Sequence, residues 1–184
     1  MHLQLAFTVV SATCALGSAI NTRQMAFRFS PSATFQYNVG NGAIYSSDYV
    51  YVAKSPESKG NDNTTLLTVV YPEASRGKKC QLGLFSELIH AEGSKQLDLF
   101  TSLTPAPAGG ASGWPPGNQR GTHLGRLSIV AEGLAPWVAK YSTYLTEATP
   151  CKPPGTVEGF ELVGVGERDY VSFYPTRFRI YYFS

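Results

Sequence analysis

No stretch of this chain carries apolar residues at helical spacing over three turns, whereas short alternating or apolar runs bounded by Gly, Pro, Asn and Asp recur along it. Such a chain has no apolar helical stripe to bury, so its core must come from paired strands. The runs predict strands near Thr34 to Val39, Ala43 to Ala53, Leu66 to Tyr71, Cys80 to Leu88 and Leu97 to Leu103. Others follow near Leu124 to Glu132, Trp137 to Thr146, Val157 to Val165, Tyr170 to Tyr174 and Phe178 to Phe183. A sheet of that many strands must fold over to cover its apolar face. The expectation is an all-β fold, an antiparallel β-sandwich of jelly-roll or Greek-key type with long Gly/Pro loops. With 18 Gly and 12 Pro in 184 residues, turn formers are abundant. The 43% hydrophobic content is enough for a core, which excludes disorder.

Two of the gaps have definite turn chemistry. Gly40-Asn41-Gly42 and Lys59-Gly60-Asn61-Asp62 can take positive φ and reverse the chain. The segment from Pro105 to Gly125 is expected to be a surface loop, because ten of its twenty-one residues are Gly or Pro and cannot sustain a regular ladder.

Leu3 to Leu16 is uncharged and apolar and is followed by Gly17, Ser18 and Ala19, the pattern of a secretion signal cleaved after Ala19. Residues 20–184 would then form one secreted domain, extracellular or in the cell wall. Cys14 would leave with the signal, and Cys80 and Cys151 would pair in an oxidising compartment. Asn63-Thr64-Thr65 is an N-glycosylation sequon after a polar run, so Asn63 is expected on an exposed loop. The C-terminal FRIYYFS has an arginine where a glycolipid-anchor signal needs a long apolar tail. Release without a membrane anchor is therefore expected.

A net charge of +2 without a basic run offers no footprint for nucleic acid. Zinc-binding, nucleophile-elbow and phosphate-cradle motifs are lacking from the sequence, so no cofactor or metal is expected. Glycoside hydrolysis needs only two suitably separated carboxylates. Glu158, Glu161, Glu167 and Asp169 are the candidates, although Glu158 and Glu161 should face opposite sides of a strand and all four read as solvent-facing. Aromatic residues are the better lead. A period of two across residues 45–52 would place Tyr45, Tyr49 and Tyr51 on one face and Asp48, Val50 and Val52 on the other. If the valines face the core, the tyrosines form an exposed platform for sugar rings or a partner protein. Trp114, in the Gly/Pro loop, is a second candidate contact.

Gly77-Lys78-Lys79-Cys80-Gln81-Leu82, Leu97-Asp98-Leu99-Phe100, Pro150-Cys151-Lys152-Pro153-Pro154-Gly155, Phe160-Glu161-Leu162 and Asp169-Tyr170-Val171-Ser172-Phe173 together carry a resemblance. From Leu66 to Ser184 the chain resembles the C-terminal domain of the fungal ubiquitin-binding But family. The resemblance implies a small secreted fungal β-sandwich with no catalytic residues to transfer. A ubiquitin partner conflicts with export, and export takes precedence here. The expected function is therefore non-catalytic binding by a monomer, with a cell-wall polysaccharide or an extracellular protein as target. The alternative is a small glycan-active hydrolase using paired carboxylates.

Overall fold

The computed structural model describes residues 27–106 and 120–184. Among them lie fourteen strands and no α-helix. In chain order they are β1 (Arg28–Phe29), β2 (Ala33–Asn38), β3 (Ile44–Ser46), β4 (Val50–Lys54), β5 (Asn63–Val70), β6 (Lys79–Leu84) and β7 (His90–Glu92). The rest are β8 (Gln96–Ser102), β9 (Arg120–Ser128), β10 (Trp137–Lys140), β11 (Thr149–Pro150), β12 (Val157–Gly164), β13 (Asp169–Phe173) and β14 (Phe178–Phe183).

Two sheets pack face to face, and every strand pairing is antiparallel. The small sheet has the order β1-β14-β6-β11. The large one runs β10-β9-β8-β12-β5, with β2 on the other edge of β5 and β3 beyond β2. The last β12–β5 pair is Leu162–Thr65. Beyond it a ribbon of β4, β13 and β7 joins the sheet through a single pair, Ala53–Asn63. The Thr65 hydroxyl fixes that junction: it donates to the Tyr51 carbonyl (2.8 Å) and accepts the Tyr51 N–H (2.9 Å).

The period of two supplies the core. Leu67, Val69 and Tyr71 of β5 and its continuation, Leu97 and Leu99 of β8, and Phe160 and Leu162 of β12 point toward the small sheet. There they meet Leu82 and Leu84 of β6 and Phe178 and Ile180 of β14. Each such side chain contributes about 1.5–3 kcal/mol on burial. Cys80, at the heart of this core, is bonded to Cys151 across 71 residues with Cα atoms 4.8 Å apart. The disulfide ties β6 to the segment that leads into β12. A second apolar cluster, Phe35, Tyr37, Leu66 and Ala106, lies on the outer face of the large sheet.

Three expectations are corrected. The single strand expected from Ala43 to Ala53 is two, because the chain bends at residues 47–49, where the Ser47 hydroxyl donates to the Tyr49 carbonyl and accepts its N–H. The loop expected to reach Gly125 ends earlier, since β9 starts at Arg120. Its glycines serve close approach: a Cβ at Gly125 would lie 2.5 Å from the Ala139 carbonyl, and one at Gly121 would lie 2.6 Å from the Thr101 hydroxyl. Asn63 is not on a loop but heads β5, paired with Asn38 and Ala53. Both expected turns form: Asn38 caps the first by accepting from the N–H groups of Gly40 and Asn41, and Lys59 and Gly60 take positive φ in the second.

Candidate functional site

The β4-β13-β7 ribbon has one dry and one wet face. Val50, Val52, Val171 and Phe173 are buried on the inner side. Alternation therefore sends Tyr49 and Tyr51 outward, and register places Tyr51 opposite Ser172, and Ala53 opposite Tyr170. Tyr170 in turn pairs with Glu92, and Ser172 with His90. The wet face thus collects Tyr49, Tyr51, Tyr170, Tyr174 and His90.

These rings are held against one another. Tyr49 and Tyr174 lie 4.7 Å apart between centroids, and the Tyr49 hydroxyl donates to that of Tyr174 at 3.0 Å. Tyr51 meets Tyr170 edge to face at 5.4 Å, and Tyr170 meets His90 in the same manner at 5.3 Å. Tyr49 and Tyr174 remain 45% and 53% exposed. The hydrogen bond between their hydroxyls is the main cause that holds Tyr49 above its ordinary pKa, so the phenol stays neutral. The result is a rigid apolar surface fringed with hydroxyls, the kind that stacks on the C–H face of a sugar ring while bonding its hydroxyls.

The platform differs from the one expected in its membership. Tyr45 is exposed but belongs to β3, on the far side of the bend, and does not join it. Tyr49 and Tyr51 do lie on the ribbon's outer face. Trp114 lies outside the described residues, as does the candidate secretion signal. Tyr170, Tyr174 and His90 were missed, although the alternation Tyr170-Val171-Ser172-Phe173-Tyr174 repeats the pattern of residues 49–52. Only strand register shows that the two patterns share a face.

The carboxylates are not solvent-facing as expected. Glu158, Glu161 and Asp169 are buried, and Glu167 alone of the four is exposed. Each buried one is engaged by donors in its own place. Glu158 accepts from the hydroxyls of Tyr71 (2.8 Å) and Tyr144 (2.7 Å) and from Lys152 Nζ (2.7 Å). Burial is the main cause that raises both phenols, with the negative charge of Glu158 adding to it, so they stay protonated donors. Glu161, on the opposite face of β12, accepts two bonds from the Arg120 guanidinium and one from Thr64. Asp169 accepts from Ser94 N–H and hydroxyl and from Gly166 N–H, closing a turn. Glu158 lines a cavity of about 480 Å³ with Tyr144 and Lys152, and Asp169 lines a different one. No two of these groups face each other across a cleft as acid and partner must in a glycosidase.

One more cluster lies on the outer face of the large sheet. His123 sits between the rings of Phe100 (4.2 Å) and Tyr141 (4.4 Å). Its Nε2 lies 3.2 Å from Asp98, too poorly aligned for a hydrogen bond, while Arg126 binds both Asp98 oxygens.

The fold and site together define a disulfide-linked, all-β, sandwich-like protein with an exposed tyrosine face. No family model, curated protein or solved structure matches the chain.

Proposed function

We propose that this protein is a secreted, non-catalytic binding protein that holds a cell-wall glycan on the outer face of β4, β13 and β7. The observation that carries the reading is the exposed ring cluster of Tyr49, Tyr51, Tyr170 and Tyr174 on a ribbon whose other face is core. Flat polar-edged rings on a stiff strand scaffold bind with little ordering of side chains, which suits a repetitive ligand of modest affinity per sugar. Secretion is supported by the apolar leader with small residues after it, and by a buried structural disulfide, which is rare where thiols are kept reduced.

Depletion from solution by insoluble chitin, β-glucan and cellulose tests the reading. Wild type should be retained by at least one of them. Tyr49→Ala and Tyr170→Ala should lower retention about tenfold while leaving the far-UV spectrum unchanged. Equal retention of all three proteins would remove the tyrosines from the site.

A further inference from the structure

Tyr49 and Tyr174 are brought together by the strand ladder and not by chain proximity. They are the residues next beyond the Val50–Phe173 pair that ends the β4–β13 ladder, so the two strands deliver them side by side across 125 residues of chain. Local bonds fix both backbones there. The Ser47 hydroxyl binds the N–H and the carbonyl of Tyr49, and the Tyr174 carbonyl accepts from the Arg177 N–H at 2.9 Å.

The two rings meet in a geometry suited to coupling. With centroids 4.7 Å apart and planes at 38°, they overlap obliquely, face toward face, instead of meeting edge on. Their hydroxyls are closer still, 3.0 Å apart, so the rings converge toward the hydroxyl end, where the Cε carbons ortho to each oxygen lie. Those carbons carry unpaired spin once a phenol has lost its hydrogen atom, and a bond between two of them forms through π lobes that must face each other. Both side chains are about half exposed, so a dissolved oxidant reaches them. Among the described residues no other tyrosine pair combines these features. Tyr51 and Tyr170 meet at 85°, edge against face; Tyr71, whose hydroxyl touches that of Tyr144, is buried. Tyr45 and Tyr141 are well exposed, but neither lies against another tyrosine ring.

We propose that Tyr49 and Tyr174 are an oxidative modification site, at which a haem peroxidase with hydrogen peroxide forms an intramolecular dityrosine bond. Each phenol gives up its hydroxyl hydrogen as one proton and one electron. The two phenoxyl radicals join Cε to Cε, and each ring then passes the hydrogen of its bonded Cε to its own oxygen, which restores both phenols. The protein loses two hydrogen atoms in all, and one hydrogen peroxide takes up the two electrons and two protons to become two waters. Because the partners are already in place, coupling within one molecule outruns coupling between molecules. The bond locks β4 to the segment after β13. The site takes its oxidant from the extracellular setting of the proposed function, but it does not depend on the face holding a glycan.

Purified protein treated with haem peroxidase and one equivalent of hydrogen peroxide tests the site. Wild type should gain dityrosine fluorescence while staying monomeric on a denaturing gel, with an intact mass lower by two hydrogens and a yield independent of protein concentration. Peptide mapping should join the peptide holding Tyr49 to the one holding Tyr174. Tyr49→Phe and Tyr174→Phe should each lower the yield of linked monomer by about tenfold or more, since the remaining rings must then meet by diffusion. Tyr45→Phe and Tyr141→Phe, which remove equally exposed phenols, should leave it unchanged. Dityrosine found only in covalent dimers whose yield rises with concentration, a link mapped to other tyrosines, or no dityrosine at all would overturn the site, and none of these results bears on retention by glycans.

Discussion

Tyr71→Phe isolates one hydroxyl in the core and has a stability effect that should change sign with pH. Tyr71 is 1% exposed, and its hydroxyl donates to Glu158 at 2.8 Å and lies 3.0 Å from the Tyr144 hydroxyl. Removing it leaves Glu158 with Tyr144 and Lys152, so the loss is that of one hydrogen bond to a charged acceptor, about 1.5 kcal/mol near neutral pH. For a chain of this size that lowers Tm by about 3–6 °C. Alkali reverses the effect. Burial, and next the charge of Glu158, raise the Tyr71 phenol above its ordinary value, so the folded protein keeps a proton that the unfolded chain releases. Stability from this group is therefore complete below about pH 10 and falls by about 1.4 kcal/mol per pH unit above it. The phenylalanine variant lacks this loss. Its deficit should shrink to near zero at about pH 11 and become an advantage beyond, since the gain by then matches the missing hydrogen bond. Urea unfolding followed by circular dichroism at pH 8, 10 and 11 measures the difference. A deficit of the same size at pH 8 and pH 11 would refute the buried hydroxyl and its raised pKa together.

Two further substitutions test the scaffold. Cys151→Ser opens a loop of 71 residues and should cost about 4 kcal/mol, with one newly alkylatable thiol at Cys80 appearing only on unfolding because Cys80 is fully buried. Arg120→Met leaves Glu161 buried at 1% exposure with Thr64 as its remaining donor, which should cost about 3–5 kcal/mol and lower the denaturation midpoint by about 10 °C, read by thermal melts.

The strand pattern was legible because alternation is a local property. Val50 and Val52, Leu97 and Leu99, and Phe160 and Leu162 all announce a buried face by their spacing, and each lies on one. The disulfide was legible from the cysteine count, once Cys14 was assigned to the expected signal and Cys80 and Cys151 were left to pair. Short strands were not. β1, β7 and β11 have two or three residues and exist because longer neighbours, β14, β13 and β6, present an open edge to them. The break between β3 and β4 depends on one serine hydroxyl bonding to the backbone two residues on, a competition that periodicity does not register. Burial of Glu158 and Glu161 escaped for a related reason: their partners Tyr71, Tyr144 and Arg120 are distant in the chain, and a carboxylate is read as solvated until its donors are in view. Half of the aromatic site could be read from residues 49–51, and the rest waited on the register that sets Tyr170 and Tyr174 beside them.

Backbone amide shifts under titration with soluble cello-, laminari- and chito-hexaose, and with an oligogalacturonate, locate the bound sugar directly. The tyrosine face predicts saturable shifts confined to residues 49–54, 90–93 and 168–174 with at least one of these oligosaccharides. Saturable shifts centred on the small sheet, or spectra that no oligosaccharide changes, would contradict it.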